Sequence, residues 1–228
     1  VSSRPKIIFF DAAGTLVRAA EPIGQTYSKL AWHYGVKSDP ELIQRGFKTA
    51  WKTFHDTATI ANRPRRSSYD WWKALVRETW KIDPLPETFP FEDYFAELYL
   101  IFGRPELWRI FPEVEGVLER LRLEGIRCGV LSNWDARLRL VLAGQVLDKY
   151  FDPVVITGEV GFEKPERAIF QKALEMAGVE AREALLIGDD PLMDGKGAAE
   201  AGWKVELVHR PHRNLEMILD ELLNASRA

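Results

Sequence analysis

At 228 residues the chain exceeds the usual single-domain size yet falls short of two full domains, so one core carrying a smaller insert is expected. Its 46% hydrophobic and 29% charged residues lie close to soluble averages, which excludes a disordered, collagen-like or filamentous chain. Lysine and arginine total 31 against 34 acidic residues, a formal net charge of −3, so no global positive field exists to hold nucleic acid. The amino-terminal residues lead straight into Ile7-Ile-Phe-Phe10, which ends at Asp11 and reads as a buried parallel strand stopping at a polar turn. That apolar run is far too short for a signal peptide or a membrane span, so a cytoplasmic protein with no membrane association is expected. The single cysteine, Cys128, agrees with a reducing compartment.

From about Arg18 to Arg109 the pattern holds no convincing strand and four helical stretches, over 25–34, 41–55, 69–81 and 91–102. Six of the eight tryptophans fall here (Trp32, Trp51, Trp71, Trp72, Trp80, Trp108), which points to a packed helical body. It enters just after the first strand, above the end where Asp11 points, and is positioned to act as a lid. Four more apolar runs follow: 126–131, 154–156, 184–187 and 205–208. Helical patterns over 136–147, 165–177, 192–201 and 215–223 alternate with them. Gly125, Gly178 and Gly202 stand where a helix hands over to a strand. The expected fold is α/β, a doubly wound parallel five-stranded sheet, with residues 1–17 and 110–228 as the core domain and 18–109 as an inserted all-helical cap domain.

Each polar segment at a strand end has two readings. Asp11-Ala12-Ala13-Gly14-Thr15 is either a plain turn or a carboxylate nucleophile or metal ligand, whose following backbone N–H groups at Gly14 and Thr15 hold phosphate oxygens. Ser132-Asn133 either caps a helix or offers hydrogen bonds to a ligand. Lys164, ahead of Pro165, is either solvated or a fixed cation between a carboxylate and a phosphoryl group. Asp189, Asp190 and Asp194 place three acids within six positions. Helix capping explains one acid but not three, so this run is the strongest independent sign of Mg²⁺.

In order and placement, these four segments resemble the motif set of the haloacid dehalogenase superfamily of hydrolases, and the likeness covers the whole chain. Within it, the stretches 21–27, 46–51 and Trp71-Trp72 are similar to a helical-cap branch that includes the rhythmically-expressed-gene-like and haloacid-dehalogenase-like hydrolase domain-containing proteins. The resemblance implies that Asp11 attacks phosphorus to give an aspartyl-phosphate. It implies Mg²⁺ held by Asp11, the Ala13 carbonyl and Asp189, with Asp190 or Asp194 in the outer shell. Ser132 and Asn133 match the segment that binds the transferring phosphoryl group, Lys164 matches the cation that organises it, and Asp194 is implied to orient Lys164 or a metal-bound water.

One position departs from that pattern. Phosphatases of the superfamily carry a second aspartate two residues after the nucleophile, which protonates the leaving alcohol and then activates water; here that residue is Ala13. Loss of a general acid–base typically lowers rates by ~10² to 10⁴. The expected function is a Mg²⁺-dependent hydrolase of a small phosphorylated metabolite, with weak activity. The alternatives are a metabolite-binding regulatory protein without catalysis, or a phosphonate hydrolase that uses a cap lysine. A monomer or homodimer is expected. Arg63, Arg65 and Arg66, between two cap helices, are either a solvated face or a contact for substrate anions.

Overall fold

The computed structural model describes residues 4–55 and 68–225. Two compact units divide the chain. One comprises Val1–Arg18 and Trp108–Ala228, the other Ala19–Leu107. Arg63, Arg65 and Arg66 lie outside the described residues.

The first unit is built on five parallel strands: β1 (Ile7–Phe10), β4 (Arg127–Ser132), β5 (Phe151–Ile156), β6 (Ala184–Gly188) and β7 (Lys204–Leu207), in the order β5-β4-β1-β6-β7. Every residue of β1 and β6 is buried, as expected of strands covered on both faces, and this is why they read as unbroken apolar runs. On one side Phe9 meets Trp203 at 5.2 Å between ring centroids, and Trp203 meets Phe170 of the helix Arg167–Ala177 at 5.6 Å. Phe10 pairs in register with both Val130 and Ile187, so Asp11, Ser132 and Asp189 emerge at one edge. The strand order reverses about β1, and such a switch point opens a crevice at the carboxyl ends of the strands.

Three elements were not anticipated. β2 (Val17–Ala19) and β3 (Trp108–Ile110) form a two-stranded ribbon, each strand too short to show an alternation. The helix Val114–Leu123 buries Val114, Val117, Leu118 and Leu121, a plain 3.6-residue pattern that Gly125 alone had signalled. Trp108, read as part of the insert, belongs to the α/β unit, its ring 4.6 Å from that of Trp134. Boundaries also shift. The helix expected from 136 to 147 runs Arg137–Gly144, and β5 starts three residues before the expected Val154.

The second unit packs four helices, α1 (Ile23–His33), α2 (Pro40–Phe54), α3 (Ser68–Thr79) and α4 (Phe91–Ile101), around Tyr27, Ile43, Val76, Trp80 and Tyr94. Tyr94 is fully buried, and its hydroxyl accepts from Trp80 Nε1 (3.2 Å) and donates to the Tyr27 carbonyl (3.1 Å). Burial pushes the Tyr94 phenol well above its ordinary range. Asp39 caps α2 by accepting from the Glu41 N–H, with Pro40 at the first helical position. Among the described residues no helix is long and apolar enough to cross a membrane.

Candidate active site

The α/β unit brings Asp11, Lys164, Asp189 and Asp194 into one cluster. Lys164 is only 2% exposed, and its ammonium donates to Asp11 Oδ1 at 2.7 Å and to Asp194 Oδ1 at 2.6 Å. A buried lysine needs such partners, because desolvation of an ammonium is otherwise prohibitive. Burial pulls the Lys164 pKa down, but the charges of Asp11 and Asp194 outweigh it and hold the group protonated. Asp194 is wholly buried. Burial raises its carboxyl to about 6 against the opposing pull of Lys164, while the charge of Asp11 adds to the rise. Asp11 and Asp189 are also held above the ordinary carboxylate range, by burial first and then, respectively, against the attraction of Lys164 and with the repulsion of Asp194.

Two glycines permit this crowding. Gly14 has φ +94, and a Cβ there would lie 2.2 Å from Asp189 Oδ2. A Cβ on Gly188 would sit 2.1 Å from Asp194 Oδ2. The residues read as phosphate contacts divide in two. Ser132 is buried at the end of β4, and its Oγ makes no hydrogen bond with any described residue, so it is available to a ligand. Asn133 is not: its Oδ1 accepts from the Lys164 N–H (2.7 Å) and from Thr157 Oγ1 (3.1 Å), and its Nδ2 donates to the Lys164 carbonyl (2.8 Å). This side chain grips the backbone of Lys164 and aims the ammonium. The Gly14 N–H is engaged by the Val17 carbonyl at 2.8 Å, and the Thr15 hydroxyl donates to Asp189 Oδ1 at 3.0 Å. These two residues support carboxylates and offer neither that amide nor that hydroxyl to phosphate.

The acidic run also separates by role. Asp190 Oδ1 accepts from the N–H groups of Leu192 and Met193, both at 2.8 Å, so it caps the helical turn Pro191–Lys196. The capping reading therefore holds for one acid of the three. Asp194 accepts from the Asp190 N–H (3.1 Å) as well as from Lys164, so both of its oxygens are engaged within the cluster.

Arg210, which follows β7, is a residue that the sequence pattern does not single out. Its guanidinium donates to the Gly14 carbonyl (2.6 Å) and the Thr15 carbonyl (2.8 Å) from 195 or more positions away in sequence. No local signal marks such a contact.

Ligating oxygens of Asp11, Asp189 and Asp194 lie within 4.8 Å of one another. Three carboxylates against the single ammonium of Lys164 leave a formal charge of 1 − 3 = −2, with Lys164 and Asp194 buried and Asp189 partly exposed. The donor set is all hard oxygen, and the carbonyl of Ala13 accepts no hydrogen bond from a described residue. A small divalent cation such as Mg²⁺ fits both the charge and the donors. Ala13 itself is exposed and carries no group able to move a proton.

A doubly wound sheet with an aspartate at its switch point, a buried lysine against it and further aspartates opposite defines a class of α/β proteins with an acidic centre. Comparison with known proteins narrows that class. The model of haloacid dehalogenase-like hydrolases matches residues 5–202, and the chain belongs to this family. It is 30% identical over 207 residues to the human haloacid dehalogenase-like hydrolase domain-containing protein 3, covering 90% of this chain and 82% of that protein. The rhythmically expressed gene 2 protein of Drosophila melanogaster is also 30% identical, over 91% of this chain and 84% of its own length. Among solved structures, a HAD phosphatase from Thermococcus onnurineus superposes with a TM-score of 0.65 at 26% identity, covering 98% of this chain and all of that one.

Proposed function

We propose that this member of the family is a Mg²⁺-dependent hydrolase that moves a phosphoryl group from a small metabolite to Asp11 and then to water, and that it favours substrates with acidic leaving groups. The observation that carries this reading is the pairing of Asp11 with Lys164 at 2.7 Å beside Asp189, with Ala13 where a proton donor would stand.

An oxygen of the Asp11 carboxylate forms the new bond to phosphorus as the bond to the leaving oxygen breaks, and that oxygen departs with the electron pair. Lys164, anchored by Asp194 and aimed by Asn133, fixes the carboxylate and screens charge as it builds on the phosphoryl oxygens. Ser132 Oγ donates to one of those oxygens. Asp11, the Ala13 carbonyl and Asp189 would hold Mg²⁺, whose charge neutralises the phosphoryl oxygens when it is bound. With no acid at position 13 the leaving group departs unprotonated, so acyl and aryl phosphates react and alkyl phosphates barely do. The second step, attack of water on phosphorus to restore the Asp11 carboxylate, lacks a base at the same position and is slow.

Ala13 also favours a second reading, a metabolite-binding protein with negligible turnover. Phosphonate cleavage finds less support, because it needs a desolvated cap lysine. Lys29, Lys37, Lys48 and Lys52 are exposed, and Lys73 pairs with Glu92 at 2.5 Å. Phosphate release from acetyl phosphate, measured with and without Mg²⁺, separates the first two readings. The hydrolase releases phosphate only with the metal, and Asp11→Asn abolishes it; equal background release from both proteins would leave binding alone.

A further inference from the structure

We propose that Arg210 is a positioning residue for the acidic centre, acting through the Gly14 and Thr15 carbonyls on Asp11 and Asp189. Its bearing on metal binding rests on the reading above. The clamp itself rests on geometry within the α/β unit.

The side chain is 18% exposed and uses its donors on three groups. Nη1 reaches the Gly14 carbonyl at 2.6 Å, Nη2 reaches the Thr15 carbonyl at 2.8 Å, and both Nε and Nη2 reach Glu113 Oε1, at 2.9 and 2.7 Å. The guanidinium also lies 3.6 Å from the centroid of the Phe111 ring. Only a planar fork satisfies these contacts at once, since a lysine ammonium cannot lie over a ring and reach two adjacent carbonyls and a carboxylate together. The loop that presents Arg210 is itself fixed. The His209 N–H donates to the Arg213 carbonyl at 2.8 Å, and Arg213 pairs with Glu206 (2.8 Å) and Glu221 (2.6 Å).

What Arg210 grips decides its role. Gly14 lies against the Asp189 carboxylate, and Thr15 donates to it, so the turn after Asp11 is the surface on which Asp189 rests. Clamping the two carbonyls from behind sets how far that turn, and hence Asp189, stands from Asp11. Because Glu113 already neutralises Arg210, the contribution is placement of the carboxylates and not charge.

The test compares wild type with Arg210→Met, which keeps length and ring packing, with Arg210→Lys, which keeps charge, with Thr15→Val, and with Arg210→Met/Thr15→Val. Two measurements are made: amide hydrogen exchange resolved by peptide, and Mg²⁺ affinity by calorimetry. Expected are exchange over residues 12–17 faster by ~10-fold or more with β4 and β6 unchanged, and Mg²⁺ binding weakened by ~10-fold, the usual range for groups that support metal ligands. Arg210→Lys should recover little of either, and adding Thr15→Val should weaken Mg²⁺ binding by less than the product of the single effects. Unchanged exchange over 12–17, exchange raised equally throughout the unit, or full recovery by lysine would overturn the proposal. Should Arg210→Met not fold, Arg210→Lys carries the same comparison. A wild type that binds no Mg²⁺ refutes the metal reading, and the exchange data still decide the clamp.

Discussion

Replacing Lys164 with methionine removes the cation from a place where two carboxylates depend on it. Asp194 is fully buried and would keep one hydrogen bond, from the Asp190 N–H, while Asp11, 8% exposed, would face Asp189 and Asp194 unscreened. Breaking a buried ion pair by deleting one partner costs about 3–5 kcal/mol, and that loss is expected at pH 8 in the absence of metal. The loss has an upper limit, because a buried carboxylate can take up a proton instead. Burial already raises Asp194 to about 6 in the wild type, and removing Lys164 raises it further. A carboxyl raised above its unfolded value binds a proton more tightly in the native state, so its stability contribution grows as pH falls and is lost as pH rises through the folded value. One such proton gives a slope of at most ~1.4 kcal/mol per pH unit, and the wild type takes up the same proton below about 6, so the gap narrows by about 3 kcal/mol between pH 8 and pH 6 and changes little below that. Urea denaturation of Lys164→Met and wild type at pH 5, 6, 7 and 8 checks this. The gap should be widest at pH 8, fall to about 2 kcal/mol or less by pH 6, and change little from there to pH 5. A loss below about 1 kcal/mol at pH 8, or one that does not vary with pH, would show that Lys164 does not neutralise these acids.

Ala13→Asp restores an acid–base at an exposed position of the turn, and turnover of an unactivated alkyl phosphate should rise by about 10². No gain in a folded, Mg²⁺-binding variant would refute the role given to that position. Val146, 57% exposed with φ +59, stands at the left-handed end of the helix Arg137–Gly144, where the Leu147 N–H bonds the Leu142 carbonyl and the Val146 N–H bonds the Ala143 carbonyl. A β-branched residue is strained there, so Val146→Gly should stabilise the protein by about 1 kcal/mol in chemical denaturation. A destabilised variant would contradict this.

Much of the architecture was legible because parallel strands buried on both faces leave continuous apolar runs. Ile7–Phe10 and Ala184–Ile187 declare themselves and place Asp11 and Asp189 at one sheet edge. The pairing of β1 with both β4 and β6 follows from that fold, and with it the neighbourhood of Ser132. The division of labour inside the neighbourhood was not legible. Whether Asp190 caps a turn or faces a cation depends on which way one side chain rotates, and Asn133 looks the same in sequence whether it binds a ligand or the Lys164 backbone. Short ribbon strands leave no period to detect, so β2 and β3 went unseen. Arg210 escaped because its partners are two main-chain carbonyls, and carbonyls carry no sequence signature.

The most direct measurement is acid-quench mass spectrometry of the protein after exposure to acetyl phosphate and Mg²⁺. Lacking a base at Ala13 to activate water, the phosphorylated form should accumulate, with the phosphoryl group on the peptide that contains Asp11 and none in Asp11→Asn or without metal. An unmodified Asp11 peptide, together with phosphate release that Asp11→Asn does not diminish, would contradict the assignment of Asp11 as the nucleophile.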